Sequence, residues 1–196
     1  SGSQGVSLGQ PYRKMGQQGA PVCDVIFDDV RVPAESLVGG KENVGFITAM
    51  KVLDKGRLHI SAISVGVAER LIEDATRYAI ERKQFNQPIA DFQLVQAMLA
   101  DSQTEMYAAA CMVAETARRR DSGEAVAAVA ASCKLFATEM VGRVADRAVQ
   151  IFGGAGYIED YGIERFYRDV RLFRIYEGTS QIQQTVIAKD LIKRFQ

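Results

Sequence analysis

Three stretches of this chain repeat their apolar residues at steps of three and four, over lengths that only long helices accommodate. In the first, Ile47, Met50, Leu53, Ile60, Ile63, Val67, Leu71, Ala75 and Tyr78 share one stripe. The second carries Phe92, Val95, Leu99, Met106 and Val113, and the third Val126, Val129, Cys133, Phe136, Met140, Val144, Ala148 and Ile151. A sustained 3.6-residue period predicts amphipathic helices. They are expected over about 43–81, from an N-cap at Asp91 to the turn "DSGE", and from about 126 to the glycine break "GGAGY". Two shorter helices are expected near 159–170 and 181–194, the second opened by a capping box of Ser180 and Gln183. Long helices joined by short turns predict a mainly α fold, an antiparallel up-down bundle. Alanines such as Ala108–Ala110 and Ala127, Ala128, Ala130 and Ala131 permit close helix approach.

Residues 1–40 obey a different rule. The opening is rich in Gly, Ser, Gln and Pro and reads as loop and turn. In "VCDVIFDDVRVP", Cys23, Val25 and Phe27 share one parity, Val22 and Ile26 add apolar weight to the other, and Pro33 stops the run. That is a strand pattern. One or two strands are not stable alone in water, so this segment is expected to be the remnant of a β domain whose remainder is missing. The predicted organisation is therefore 1–40, a partial β segment, and 41–196, an α-helical bundle domain.

Composition excludes several classes of function. With 24 basic and 24 acidic residues the net charge is zero, so no global pull toward nucleic acid or an anionic membrane is expected. No run approaches the 18 or so apolar residues of a membrane span, and no signal-peptide pattern is visible. The expected location is cytoplasmic, or the mitochondrial matrix if the source is eukaryotic. Three cysteines without a CxxC, of which Cys111 and Cys133 fall at apolar-face positions, predict a reducing compartment and no metal site. His59 is the single histidine. That removes Ser-His-Asp and Cys-His catalysis unless another chain contributes.

Two local features invite chemistry. Glu177 stands between Tyr176 and Gly178, just before a predicted helix. Gly178 frees the backbone to turn, Thr179 and Ser180 offer hydroxyls, and Tyr176 can form an apolar wall, so the carboxylate can be projected into a cavity as a base. An acidic residue near a helix N-terminus is equally a dipole-favoured surface charge. The second feature, "GGAGY", lacks the GxGxxG spacing and follows a helix. It reads as a helix C-cap and tight turn, or as bare backbone N–H groups that touch a phosphate or cofactor edge.

Taken together, "ERKQFNQPIADFQLVQAMLAD", "QIFGGAGYIEDYGIERFYRDVR" and "IYEGTSQIQ" resemble, in this order, the C-terminal signatures of the acyl-CoA dehydrogenase family. "VIFDDVRVPAESLVG" resembles the end of that family's middle β domain, and "LDKGR" its first long C-terminal helix. The resemblance implies an FAD enzyme with an N-terminal helical domain, a middle β domain and a C-terminal bundle, assembled as a homotetramer or dimer. It implies α,β-dehydrogenation of acyl-CoA thioesters to trans-2-enoyl-CoA, with electrons passed to an electron-transfer flavoprotein. Glu177 would be the catalytic base. Its own N–H and a ribityl hydroxyl of FAD would polarise the thioester carbonyl. Some family members carry the base on the first long helix instead, where this chain has Gly56. Asp54, Lys55, Gly56, Arg57, Tyr176 and Gly178 would meet the substrate. Arg82, Phe85, Gln93, Gln150, Ile151, Phe152, Gly153, Gly154, Thr179, Ser180 and Gln181 would meet FAD. Arg82 would bind pyrophosphate oxygens, and the Arg82 and Gln150 group would serve the FAD of a neighbouring subunit. A related acyl-CoA oxidase and a non-catalytic helical assembly module are the alternative readings.

Overall fold

The computed structural model describes residues 4–196, the side chain of Asp54 excepted. The start of the predicted β segment, Ser1–Ser3, and the candidate carboxylate of Asp54 lie outside that description. Two compact units divide the chain, one up to Val52 and one from Leu53 to Gln196.

In the first unit, β1 (Val6–Leu8) pairs antiparallel with β2 (Val25–Phe27), in the register Val6↔Phe27 and Leu8↔Val25. The predicted strand therefore forms, and its partner comes from a stretch read as loop. Gly5 permits this. At φ +84° a Cβ would sit 2.2 Å from Asp28 O, so a side chain there would block the pairing. Val25, Ile26 and Phe27 are all at least half exposed, so this two-stranded sheet has no packed face among the described residues. Two 3-10 turns, Ala34–Ser36 and Val38–Gly40, lead to helix α1 (Gly45–Glu81).

The second unit is the bundle. After α1 come a hairpin of β3 (Lys83–Gln84) and β4 (Gln87–Pro88), then α2 (Gln93–Asp121) and α3 (Ala127–Phe152). A 3-10 segment at Gly153–Tyr157 precedes α4 (Ile163–Val170), and α5 (Ser180–Lys193) closes the fold. The helices form the expected antiparallel up-down bundle, with local shifts. Phe92, not Asp91, is the N-cap of α2, because Asp91 is spent in a 3-10 turn at Ile89–Asp91. The predicted helix at 159–170 is broken by Gly162, whose φ of +70° ends a 3-10 turn and starts α4.

Helix α3 lies at the centre, packed on α2, α4 and α5. Ala137, Met140, Val141, Val144, Ala145 and Ala148 join Ala68, Leu71, Ala75 and Ala79 of α1 in one core. Buried residues cover most of α3, with Arg143, Asp146 and Gln150 on an exposed stripe, and the alanines let its neighbours approach closely. The α2 seam is narrow: its fully buried residues, Ser102, Ala109 and Thr116, recur every seven. Cys111, two residues or about 200° from Ala109, is therefore exposed, contrary to expectation, while Cys133 is buried. Burial holds the Cys133 thiol above its usual pKa, against a contact with Thr116 Oγ1 at 3.0 Å. Buried Ser61, Ser64 and Thr138 donate to the carbonyls four residues back at 2.7–2.8 Å, which satisfies them within their own helices. Among the described residues, no helix is long and apolar enough to cross a membrane and no acidic, His or Cys cluster suits a metal.

Candidate active site

Glu177 adopts φ +55° and Gly178 φ +89°. The left-handed region costs a residue with a Cβ roughly 1–2 kcal/mol, so surrounding bonds must hold Glu177 there. The turn ends at Thr179, whose Oγ1 accepts from the Ile182 N–H at 3.3 Å and caps α5. This displaces the predicted capping box by one residue. Ser180 is the first helical residue, and its hydroxyl donates to Glu139 at 2.7 Å. The Gln183 side chain is directed to the loop carbonyls.

The Glu177 carboxylate lies directly against Gly56. A Cβ built on Gly56 would stand 2.1 Å from Oε2 and 2.7 Å from Cδ. Two positions 121 residues apart, the loop glutamate and the helix position where a base is the alternative, thus occupy one place in space. Beside them Arg57 is buried, and Tyr176 stacks on Phe173 with centroids 5.8 Å apart. Among the described residues no acceptor is found for the Glu177 N–H.

Sequence reasoning missed two residues of this site. Lys134 of α3 is completely buried and donates to Gly178 O at 2.7 Å. Burial, offset in part by Glu139 and Glu177 and reinforced by Arg57, lowers its pKa to about 8. Gln183, also completely buried, donates to Gly178 O at 2.9 Å and Glu177 O at 3.3 Å. The available signal was a lysine whose neighbours at three and four residues are Ala130, Ala131, Ala137 and Thr138. No such surrounding suits a solvated charge.

A second group gathers at the far end of α1. Arg82, Ile151, Phe152, Gly153 and Gly154 line one cavity of about 470 Å³. Tyr78 and Phe152 stack at 4.0 Å, and Tyr161 meets both edge-on. The result is an aromatic wall beside the bare backbone of Gly153 and Gly154, where an added Cβ would meet open space. Arg82 has no ion-pair partner among the described residues. The Gly153 N–H is spent on the carbonyls of Gln150 and Val149 at the end of α3, so what suits a nucleotide's pyrophosphate and base here is one cation and an aromatic face. Arg82 follows the residue that ends α1, so it stands roughly 38 Å from Gly56 at 1.5 Å per residue.

Other predicted contacts are more dispersed. Phe85 and Asn86 both have positive φ and form a type I′ hairpin turn. This leaves Phe85 87% exposed, its ring edge-on to Phe92. Gln93, Gln150, Gln181 and Lys55 are exposed and do not line the cavity at Arg82. Another cleft of about 440 Å³ holds Arg143, Arg147, Arg171 and Arg174. Three of these cations are already paired, Arg143 and Arg147 with Glu105 and Arg174 with Glu139.

Comparison with known proteins gives concordant matches. A family model described as acyl-CoA dehydrogenase, C-terminal domain, matches residues 43–192. The chain is 47% identical to a 3-(aryl)acrylate reductase of Clostridium sporogenes, over 98% of this chain and 51% of that protein. It is 46% identical to the CarC subunit of a caffeyl-CoA reductase–Etf complex of Acetobacterium woodii, over 98% of this chain and 50% of that protein. The structure of butyryl-CoA dehydrogenase from Megasphaera elsdenii superposes with a TM-score of 0.94 at 38% identity, over 97% of this chain and 50% of that one. The chain thus spans about half the length of the relatives it matches.

Proposed function

The chain belongs to the acyl-CoA dehydrogenase family, and from that premise we propose that it supplies the base-bearing half of an FAD-dependent enzyme acting on acyl-CoA thioesters. The reaction is α,β-dehydrogenation to a trans-2-enoyl-CoA, with Glu177 as the base. One observation carries this reading: the Glu177 carboxylate stands over Gly56, so the two places where the family puts its base coincide and only one of them is filled.

The chemistry of this chain's residues follows from that geometry. Glu177 takes the proton from Cα, and negative charge develops on the thioester oxygen. The Glu177 N–H, without an acceptor among the described residues, is available to that oxygen, so one residue supplies both base and electrophile. Tyr176 walls the loop and limits access of water. The chemistry that FAD would supply is that of an acceptor for the hydride lost from Cβ. Arg82, Gly153 and Gly154 would hold its pyrophosphate and adenosine end. Gly56, against which the Glu177 carboxylate lies, and Arg82 stand roughly 38 Å apart along α1, which favours two half-sites, each completed by a second copy in a homo-oligomer. Thr179, Ser180 and Gln181 follow the base and Gly178 in the chain and would meet the flavin end.

A second reading concerns direction. The relatives at 47% and 46% identity are named reductases, one of them in a complex with Etf. The same site run backward has Glu177 return the proton to Cα of an enoyl-CoA. An electron-transfer flavoprotein is then the electron donor and not the acceptor.

In a flavinated protein of the relatives' length, Glu177→Gln should retain FAD yet slow bleaching by saturated acyl-CoA by roughly 10³-fold or more. Bleaching near the wild-type rate removes Glu177 from its role. Reoxidation of the reduced flavin by enoyl-CoA, measured alongside, decides the direction. Arg82→Ala should weaken FAD retention more than acyl-CoA binding at saturating FAD. The opposite ranking contradicts the pyrophosphate assignment.

A further inference from the structure

Lys134 is the largest side chain among those the fold buries completely. A charged group is expensive to remove from water and is kept inside only where it is well partnered. Its partner is the carbonyl of Gly178, 2.7 Å away and 44 residues on. Gln183, from the first turn of α5, reaches the same carbonyl at 2.9 Å and that of Glu177 at 3.3 Å. The two peptide carbonyls at the base therefore receive three hydrogen bonds from two different helices. Gly178 admits this arrangement, since a Cβ there would stand 2.6 Å from Gln183 Nε2. Both residues of the turn are in the left-handed region, which needs such external support.

Resting on the reading of Glu177 as base, we infer that Lys134 is a positioning residue for it: with Gln183 it fixes the Glu177–Gly178 peptide so that the carboxylate stands over Gly56. The ammonium also acts through charge. Glu177 in the loop and Glu139 of α3 attract it, Arg57 of α1 opposes it, and Glu139 is itself held by Ser180 and by Arg174. A side chain serving only to fill volume would need none of this.

The test uses the full-length flavinated protein. Lys134→Met keeps the volume and removes donor and charge. It should slow single-turnover flavin reduction about 100-fold, the effect of a base displaced by around 1 Å. Half-saturation by acyl-CoA should stay within about threefold. The acid limb of the rate profile should move to higher pH, because a nearby cation has gone. Gln183→Met, which removes no charge, should slow reduction less and leave the limb in place. A wild-type rate in Lys134→Met overturns the inference, as does a rate loss matched by weaker acyl-CoA binding with an unmoved limb. If Lys134→Met does not hold flavin, Lys134→Gln takes its place with the same readouts, and loss of the flavinated fold in both overturns the inference. Glu177→Gln runs in parallel. Should it still bleach, the base assignment falls and this inference with it; should it be silent while Lys134→Met behaves as wild type, only the positioning role falls.

Discussion

A single methyl group added at Gly56 should separate catalysis from stability. The Cβ of an alanine there would lie 2.1 Å from Glu177 Oε2, where ordinary contact begins near 3.4 Å, so the carboxylate must retreat by about 1.3 Å. The obstructed group is the end of a flexible side chain, so the fold can yield at little cost. The backbone at Gly56 is helical, and Gly→Ala inside a helix gains roughly 0.5–1 kcal/mol. A displacement of 1 Å at a reacting group costs on the order of 10²-fold in rate, or about 2.7 kcal/mol of barrier. Gly56→Ala should therefore melt at the wild-type temperature or slightly above it, while flavin bleaching by acyl-CoA slows about 100-fold. Gly66→Ala is the control, because a Cβ at Gly66 in the same helix meets nothing within 4 Å. It should gain the same helical stability and lose no activity. Bleaching in Gly56→Ala within about threefold of Gly66→Ala would refute the convergence of the two base positions.

Three further outcomes are expected. Gly156→Ala places a Cβ 2.6 Å from Val149 O and 2.8 Å from Phe152 Cβ; backbone cannot swing aside, so chemical denaturation should show a loss of about 1–3 kcal/mol, and an unchanged midpoint contradicts this. Phe85→Asn should raise stability by about 0.5–1 kcal/mol, since asparagine tolerates the left-handed φ of +51° better than an exposed phenylalanine; a lower midpoint shows that the edge contact with Phe92 matters more than the strain. Lys134 titrates near 8 in the fold, chiefly through burial, against 10.5 as an ordinary lysine. Because the unfolded chain binds this proton more tightly, the penalty is complete below pH 8, fades as pH rises toward 10.5 and is absent above. The stability of wild type relative to Lys134→Met should therefore climb by about 3 kcal/mol across that window, and a flat difference refutes it.

Long-period features were legible in the sequence because they are local. The helices α1, α2 and α3 follow from a 3.6-residue repeat, although Ile47, Met50 and Ile63 of the expected α1 stripe are exposed. Helix starts were less legible. Asp91 and Ser180 are both good N-caps in isolation, yet a 3-10 turn consumes the first, and Thr179 takes the cap from the second so that Ser180 can bond Glu139. Which of two adjacent hydroxyls caps α5 was settled 41 residues away. Cys111 was misplaced for a related reason, since a helix can be apolar on a face that this unit leaves open.

The site shows the same division between local and distant causes. Glu177 was suggested by its neighbours, but a loop glutamate before a helix is ordinary surface chemistry until something fixes its backbone and its direction. Both are fixed from elsewhere: the carbonyls by Lys134 and Gln183, the direction by the absence of a side chain at Gly56. Neither Lys134 nor Gly56 bears any mark of the reaction by itself. A lysine buried within a helix and a glycine inside a long helix are both unfavourable choices, the first costly and the second mildly so, and their costs are borne in the same loop. Local rules broken at two distant positions that meet at one loop, Lys134 at the Gly178 carbonyl and Gly56 at the Glu177 carboxylate, are what a functional constraint produces. That is why a loss of rate without a loss of stability, in Gly56→Ala and in Lys134→Met alike, is the signature to seek.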